Sequence, residues 1–200
     1  MIIVDDREDT QHPEVKTLLP EVRVERMEAG DYAWLDCHGE PIGVERAEIN
    51  NLIQKIMDGE LESQLRKAEP MYKKFYLLTE GVWDEKNERV ASYKWRAYAK
   101  VHGYLAAHQS GFQFDRLESL MLSLDEMGVR RLYAANFGVS MRVLKILYGK
   151  SQTPTEVSQL FRRINGLHLP VKLSKDPTVP RLMALCPRIP EKTAEIGRAH

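Results

Sequence analysis

A mixed α/β fold followed by a small all-helical unit is what this 200-residue sequence predicts, on three observations. Short apolar or alternating runs with strand character recur at Ile2-Ile3-Val4, residues 22–26, 32–35, 41–45 and 74–78. Between them, Ile49, Leu52, Ile53 and Ile56 fall at i, i+3, i+4 and i+7, the spacing of a helix with one apolar face. Past residue 150, Pro154, Pro170, Pro177 and Pro180 punctuate short segments, as in small helices joined by stiff connectors. The expected division is 1–138 for the α/β domain, with a central mixed sheet flanked by helices, and 150–200 for the helical unit.

Ile2-Ile3-Val4 is a buried strand closed by Asp5. The polar run Asp5-Asp6-Arg7-Glu8 after it suits either a solvated turn or the strand-end position where α/β folds place chemistry. His12-Pro13 is expected to open a short helix through Leu19, since proline is tolerated in a first turn. Residues 22–26 alternate apolar and charged side chains, as a half-buried strand does. Two short strands, 32–35 and 41–45, then flank the turn Asp36-Cys37-His38-Gly39. Gly59 is a plausible stop for the 49–56 helix, and residues 60–71 read as another, carrying Gln64, Arg66 and Lys67. For Arg66 and Lys67 a solvated face and a phosphate contact are equally consistent.

Residues 81–92 are polar and loop-like. Residues 93–109 form a helix candidate, with Trp95, Ala99, His102 and Ala106 spaced at threes and fours. Phe112-Gln113-Phe114 can be a further strand, and Ser123-Leu124-Asp125-Glu126 has the pattern of a capping box opening a helix to about Asn136. Phe137-Gly138 is expected to interrupt that helix.

The candidate site lies on the 32–45 hairpin. Folded symmetrically about His38, the hairpin sets Asp31 opposite Glu45, with Cβ atoms roughly 4.5–5.5 Å apart. Two carboxylates at that distance can share a divalent cation, whose charge offsets their repulsion. A slip of one residue would place them on opposite faces, so the pair depends on register.

Gly30-Asp31 and Glu45-Arg46, with an apolar strand before the second pair, resemble the GD…ERK…D signature of the XPF-type nucleases. Val4-Asp5-Asp6-Arg7-Glu8 is similar to that family's V-D-x-R-E strand end. Ser63-Gln64 sits where the family carries a Ser-Gln pair, and Tyr76-Leu77-Leu78-Thr79-Glu80 resembles its following buried strand. The resemblance spans roughly the first 80 residues in order. It implies a restriction-nuclease-like α/β fold, metal-dependent cutting of branched DNA, and pairing into a homodimer. On this reading Mg²⁺ or Mn²⁺ is held by Asp31, Glu45 and Asp5. Arg7 and Arg46 meet phosphate oxygens, while Glu8 and Gln64 orient neighbours.

Two positions depart from the signature: Ala47 stands where the family has the Lys that orients or polarises the attacking water, and Asn51 where it has Asp. The expectation is an endonuclease impaired at Ala47, whether by engineering or by natural drift. The competing class is a non-catalytic module that recognises branched DNA or scaffolds a partner through a degenerate site.

Composition bounds the partners. Lys and Arg number 29 against 29 Asp and Glu, so any nucleic-acid surface must be local. Residues 141–175 are its best candidate, with Arg142, Lys145, Lys150, Arg162, Arg163, Lys172 and Lys175 against Glu156; a solvated face fits equally well. Residues 182–194 resemble a helix-hairpin-helix. Arg188 and Pro190 take its usual glycine positions, Pro190 has no N–H to donate to a phosphate, and Arg188 or Lys192 is left to attract it. A structural or dimer-forming hairpin is the other reading of this segment. Cys37 and Cys186 offer no disulfide framework, and the apolar start is too short for a signal peptide. No stretch approaches membrane-spanning length, and a soluble intracellular protein is expected.

Overall fold

A computed structural model describes residues 1–98 and 101–154, with backbone alone for 94–98 and 101–107. The chain divides into two units, Met1–Pro154 and Thr155–His200, and every described residue lies in the first. Arg162, Arg163, Arg188 and Lys192 therefore lie outside the described residues.

The expected α/β architecture is present. β1 (Ile2–Asp5), β2 (Val22–Glu25), β3 (Tyr32–Leu35), β4 (Pro41–Glu48), β5 (Lys74–Glu80) and β9 (Arg130–Ala134) form one sheet in the order β2-β1-β3-β4-β5-β9. β3 runs antiparallel to both neighbours, and the remaining pairs are parallel. β4 and β5 are buried almost throughout, because helices cover both faces of the parallel strands. On one face Ala47 and Leu77 pack with α3 (Ile49–Met57), α4 (Glu60–Ala68) and α5 (Phe114–Glu126) through Leu52, Ile53, Leu61, Leu117 and Met121. On the other, Val4, Tyr32, Val44 and Leu78 pack with α2 (Val15–Leu18) and α6 (Phe137–Ser151) through Val15, Met141 and Leu144.

Several elements differ from the sequence expectation, each for a local reason. The short helix expected from His12-Pro13 through Leu19 is present as α2, but a further one, α1 (Asp6–Gln11), precedes it directly at the end of β1, because the Asp5 carboxylate caps it by accepting from Arg7 N. The stretch 81–92, expected as loop, holds β6 (Val82–Lys86) and the start of β7 (Arg89–Tyr98). Asn87 and Glu88, both at positive φ, make the tight turn between them. The helix expected over 93–109 is strand: β7 pairs antiparallel with β8 (Val101–Gln113). The sequence Tyr93-Lys94-Trp95-Arg96-Ala97 alternates with period two, a signal masked by the coincident three-and-four spacing.

The supposed capping box at Ser123 lies inside the last turn of α5, where the hydroxyl donates to Ser119 O. Gly128, at φ +85°, then turns the chain into β9. Phe137-Gly138 starts α6 instead of interrupting a helix, because Asn136 caps it by accepting from Val139 N.

Candidate active site

Gly30, at φ +80°, delivers Asp31 to the junction of three strands; a Cβ at Gly30 would stand 3.3 Å from Val44 O. Asp31 N donates to Val44 O at 2.8 Å, and its carbonyl accepts from Asp5 N at 2.9 Å. The β3–β4 register pairs Tyr32 with Val44, which sets Asp31 opposite Glu45. Both side chains project to the α3–α4 face.

Asp31 Oδ2 accepts from Arg46 N at 2.7 Å. Glu45, 2% exposed, accepts from Lys55 Nζ at 2.7 Å through Oε1. Lys55 also reaches Gln64 Oε1 at 3.4 Å. Burial, and then the charges of Glu45 and Glu8, push the Asp31 carboxyl well above the usual range. Burial also raises Glu45, against the pull of Lys55. The pair is thus short of positive charge. Hard carboxylate oxygens suit Mg²⁺ or Mn²⁺, with phosphate and water left to complete the coordination. Among the described residues no three His, Cys, Asp or Glu side chains are grouped to hold a metal. The Asp31–Glu45 pair supplies two carboxylates, so an ion held there would need its other ligands from water or phosphate.

Tyr72 walls the site. Its hydroxyl donates to Ala29 O at 2.7 Å, and its ring lies where a Cβ on Gly43 would come within 2.6 Å. Burial, then Glu45 and Asp31, push its phenol up to about 12.

Asp5 does not join the pair. Arg7 N, Nε and Nη2 and Met27 N donate to its two oxygens at 2.6–3.1 Å, leaving it the anchor of Arg7 rather than the expected metal ligand. Burial resists its ionisation, but Arg7 and the two backbone N–H groups hold its carboxyl below the usual range. Arg7, with a half-exposed side chain, remains open to a phosphate.

Arg46 also takes a different part from the one expected. Adjacent strand residues point to opposite faces, so its side chain leaves the acidic pair. It donates to Glu8 Oε1 at 2.7 Å and to Glu80 Oε2 at 2.9 Å. Tyr32 Oη donates to Glu8 and Ser140 Oγ to Glu80, both at 2.6 Å, and the Phe137 ring lies 5.1 Å from the guanidinium. A guanidinium so enclosed is not presented to DNA, and Glu8 orients Arg46 rather than a metal ligand.

Ala47 is 4% exposed within the apolar cluster under α3, beside Thr79 of β5 in the sheet register. The solvated space that the motif lysine would need is absent at this position. The ammonium beside Glu45 comes from Lys55, which sequence reasoning missed. Its only signal was its place on α3, three residues after buried Leu52 and at the edge of the apolar stripe. Asn51 is exposed on the same helix.

The profile of the ERCC4 domain matches residues 4–145, which include the six-stranded sheet but for the first two residues of β1, and every side chain of this site. The chain belongs to the ERCC4-domain family. Its fold is that of the XPF-type nucleases. Similar solved structures are XPF from Aeropyrum pernix, at 18% identity and TM-score 0.53 over 97% of this chain and 77% of that one, and the same protein in complex with DNA, at 18% and 0.52 over 97% and 78%. No curated protein sequence matches significantly. Membership in this family supports a DNA nuclease or DNA-binding role for the ERCC4 domain described here. Among the described residues no helix is long and apolar enough to cross a membrane.

Proposed function

We propose that this ERCC4 domain is a Mg²⁺- or Mn²⁺-dependent endonuclease that hydrolyses phosphodiester bonds in branched DNA and works as a homodimer inside the cell. The observation that carries the reading is the opposed Asp31–Glu45 pair, Asp31 just before β3 and Glu45 within β4, both carboxyls raised by burial. A structural role gives no reason to oppose two buried acids; binding a hard cation and a phosphate does.

Asp31 and Glu45 would hold the ion. When bound, it would polarise a phosphoryl oxygen and lower the pKa of water. The remaining work falls to the chain itself. Arg46 N–H fixes the Asp31 carboxylate in place from the backbone. Arg7, oriented by Asp5, offers guanidinium N–H groups to a neighbouring phosphate. Gln64 steadies Lys55. Arg162, Arg163, Arg188 and Lys192 would supply further contacts to the backbone of a branched substrate, the last two from a helix-hairpin-helix-like segment.

The competing reading, a non-catalytic branched-DNA module, is favoured by one observation: Ala47 at the motif lysine position. Cleavage of flap, fork and four-way-junction DNA with Mn²⁺, against plain duplex, separates the two. Metal-dependent cuts near the branch point are expected. Branch-selective binding without any cleavage, under saturating Mn²⁺, would leave only the binding module.

A further inference from the structure

The geometry points to Lys55 as a catalytic residue: it supplies from helix α3 the ammonium that β4 lacks at Ala47, placing it against the attacking water and the scissile phosphate. The inference deepens the endonuclease reading and rests on it.

Four observations carry it. Lys55 Nζ lies 2.7 Å from Glu45 Oε1, on the sheet face that Glu45 shares with Ala47. Ala47 is sealed in apolar contacts, so no cation can grow from the strand without repacking. The Lys55 side chain is 23% exposed and that of Glu45 3%, so the ammonium stands between the buried acid and solvent, where a phosphate would arrive. The cluster is also not a closed ion pair. Asp31, Glu45 and Glu60 all act on the one ammonium, and no hydrogen bond among the described residues uses Asp31 Oδ1 or Glu45 Oε2. Arg7 also acts on Glu45, but less than Lys55 does, and its Nε and Nη2 already donate to Asp5 and Met27 O.

In hydrolysis the water oxygen bonds to phosphorus and the bond to one bridging oxygen breaks. The water proton passes to solvent, and the departing alkoxide takes a proton from solvent. Negative charge grows on the non-bridging oxygens meanwhile. An ammonium donating three hydrogen bonds can hold the water and meet that charge without changing its own protonation. Gln64 Oε1, 3.4 Å from Nζ, positions it; Gln64 is a positioning residue.

The test uses the full chain, with Lys55→Met, Lys55→Gln and Lys55→Arg, checked for folding by thermal melts. A fork cleaved by the parent should be cut roughly 10²–10⁴-fold more slowly by Lys55→Met, with the loss in kcat and little change in KM. Lys55→Gln keeps a hydrogen bond to Glu45 without the charge, so it should lose as much, and it serves if Lys55→Met does not fold. Lys55→Arg should recover part of the rate. A second readout needs no cleavage: Mn²⁺ titrated without DNA should bind the Met and Gln variants severalfold more tightly, because a competing cation has left Glu45. Parental cleavage rates in folded Met and Gln variants would overturn the role of Lys55 alone. So would Mn²⁺ affinity falling in step with rate, since Lys55 would then merely prop Glu45. A parent that binds Mn²⁺ and the fork yet never cuts would overturn the endonuclease reading and this inference with it.

Discussion

Replacing Arg46 separates a structural cation from a phosphate-binding one. Its side chain is 6% exposed, as are those of its partners Glu8 and Glu80 at 6% and 8%. Arg46→Met removes the only positive charge bonded to those two buried carboxylates among the described residues, while Tyr32, Ser140 and Phe137 stay in place. Removing one partner of a buried pair typically costs about 3–5 kcal/mol, because the charge left behind is uncompensated. For a chain of this length that corresponds to a melting temperature lower by roughly 6–20 °C at neutral pH. Arg46→Lys keeps the charge but cannot reach both acids with a planar fork, and should fall between the parent and Arg46→Met. Adding Glu8→Gln to Arg46→Met removes one stranded charge while still accepting from Tyr32 Oη, and should recover part of the loss. The assay is a thermal melt for each variant beside fork-DNA affinity at fixed salt. If Arg46→Met melts like the parent but loses DNA affinity, the enclosed network is not what Arg46 is for, and the reasoning fails.

Other consequences follow from the same geometry. Mn²⁺ at about a hundredfold its Kd should stabilise the parent by roughly 2.7 kcal/mol, and Asp31→Asn should remove most of that gain, as melts with and without Mn²⁺ would reveal. Without metal, Asp31→Asn should itself stabilise the fold at neutral pH. A carboxyl whose folded pKa is raised favours folding below its ordinary value and loses that contribution as pH climbs through the raised one. The parent's metal-free melting temperature should therefore decline over that climb more steeply than the variant's. Gly43→Ala drives a methyl into the Tyr72 ring and should cost about 1–3 kcal/mol in denaturant unfolding, partly relieved by adding Tyr72→Leu. Reversing Arg162 and Arg163 to Glu should weaken binding to all DNA forms and flatten its salt dependence without moving the cut, read by gel shifts across a salt series.

Where a residue's role is decided by its immediate neighbours in the chain, the sequence alone was enough. The hairpin symmetric about His38 put Asp31 across from Glu45 because the two-residue pleat and a short turn leave one workable register. The apolar runs of β4 and β5 announced strands covered on both faces, and the repeat of Ile49, Leu52 and Ile53 announced α3, since burial and periodicity are both written locally. The tertiary structure decided the rest, because it depends on what faces what. Residues 93–109 could satisfy a helical or a strand period, and only a second strand to pair with resolved them into β7 and β8. Arg46 and Glu45 are adjacent in sequence yet serve opposite faces of the sheet, so one lies with Glu8 and Glu80 of other elements and the other with Asp31. Asp5 carried the right carboxyl in the right strand, but the helix it caps and the arginine it holds consume its oxygens. Lys55 carries no motif in the linear chain; the crossover from β4 into α3 folds its ammonium back over Glu45, a contact set by helix packing rather than by spacing along the chain.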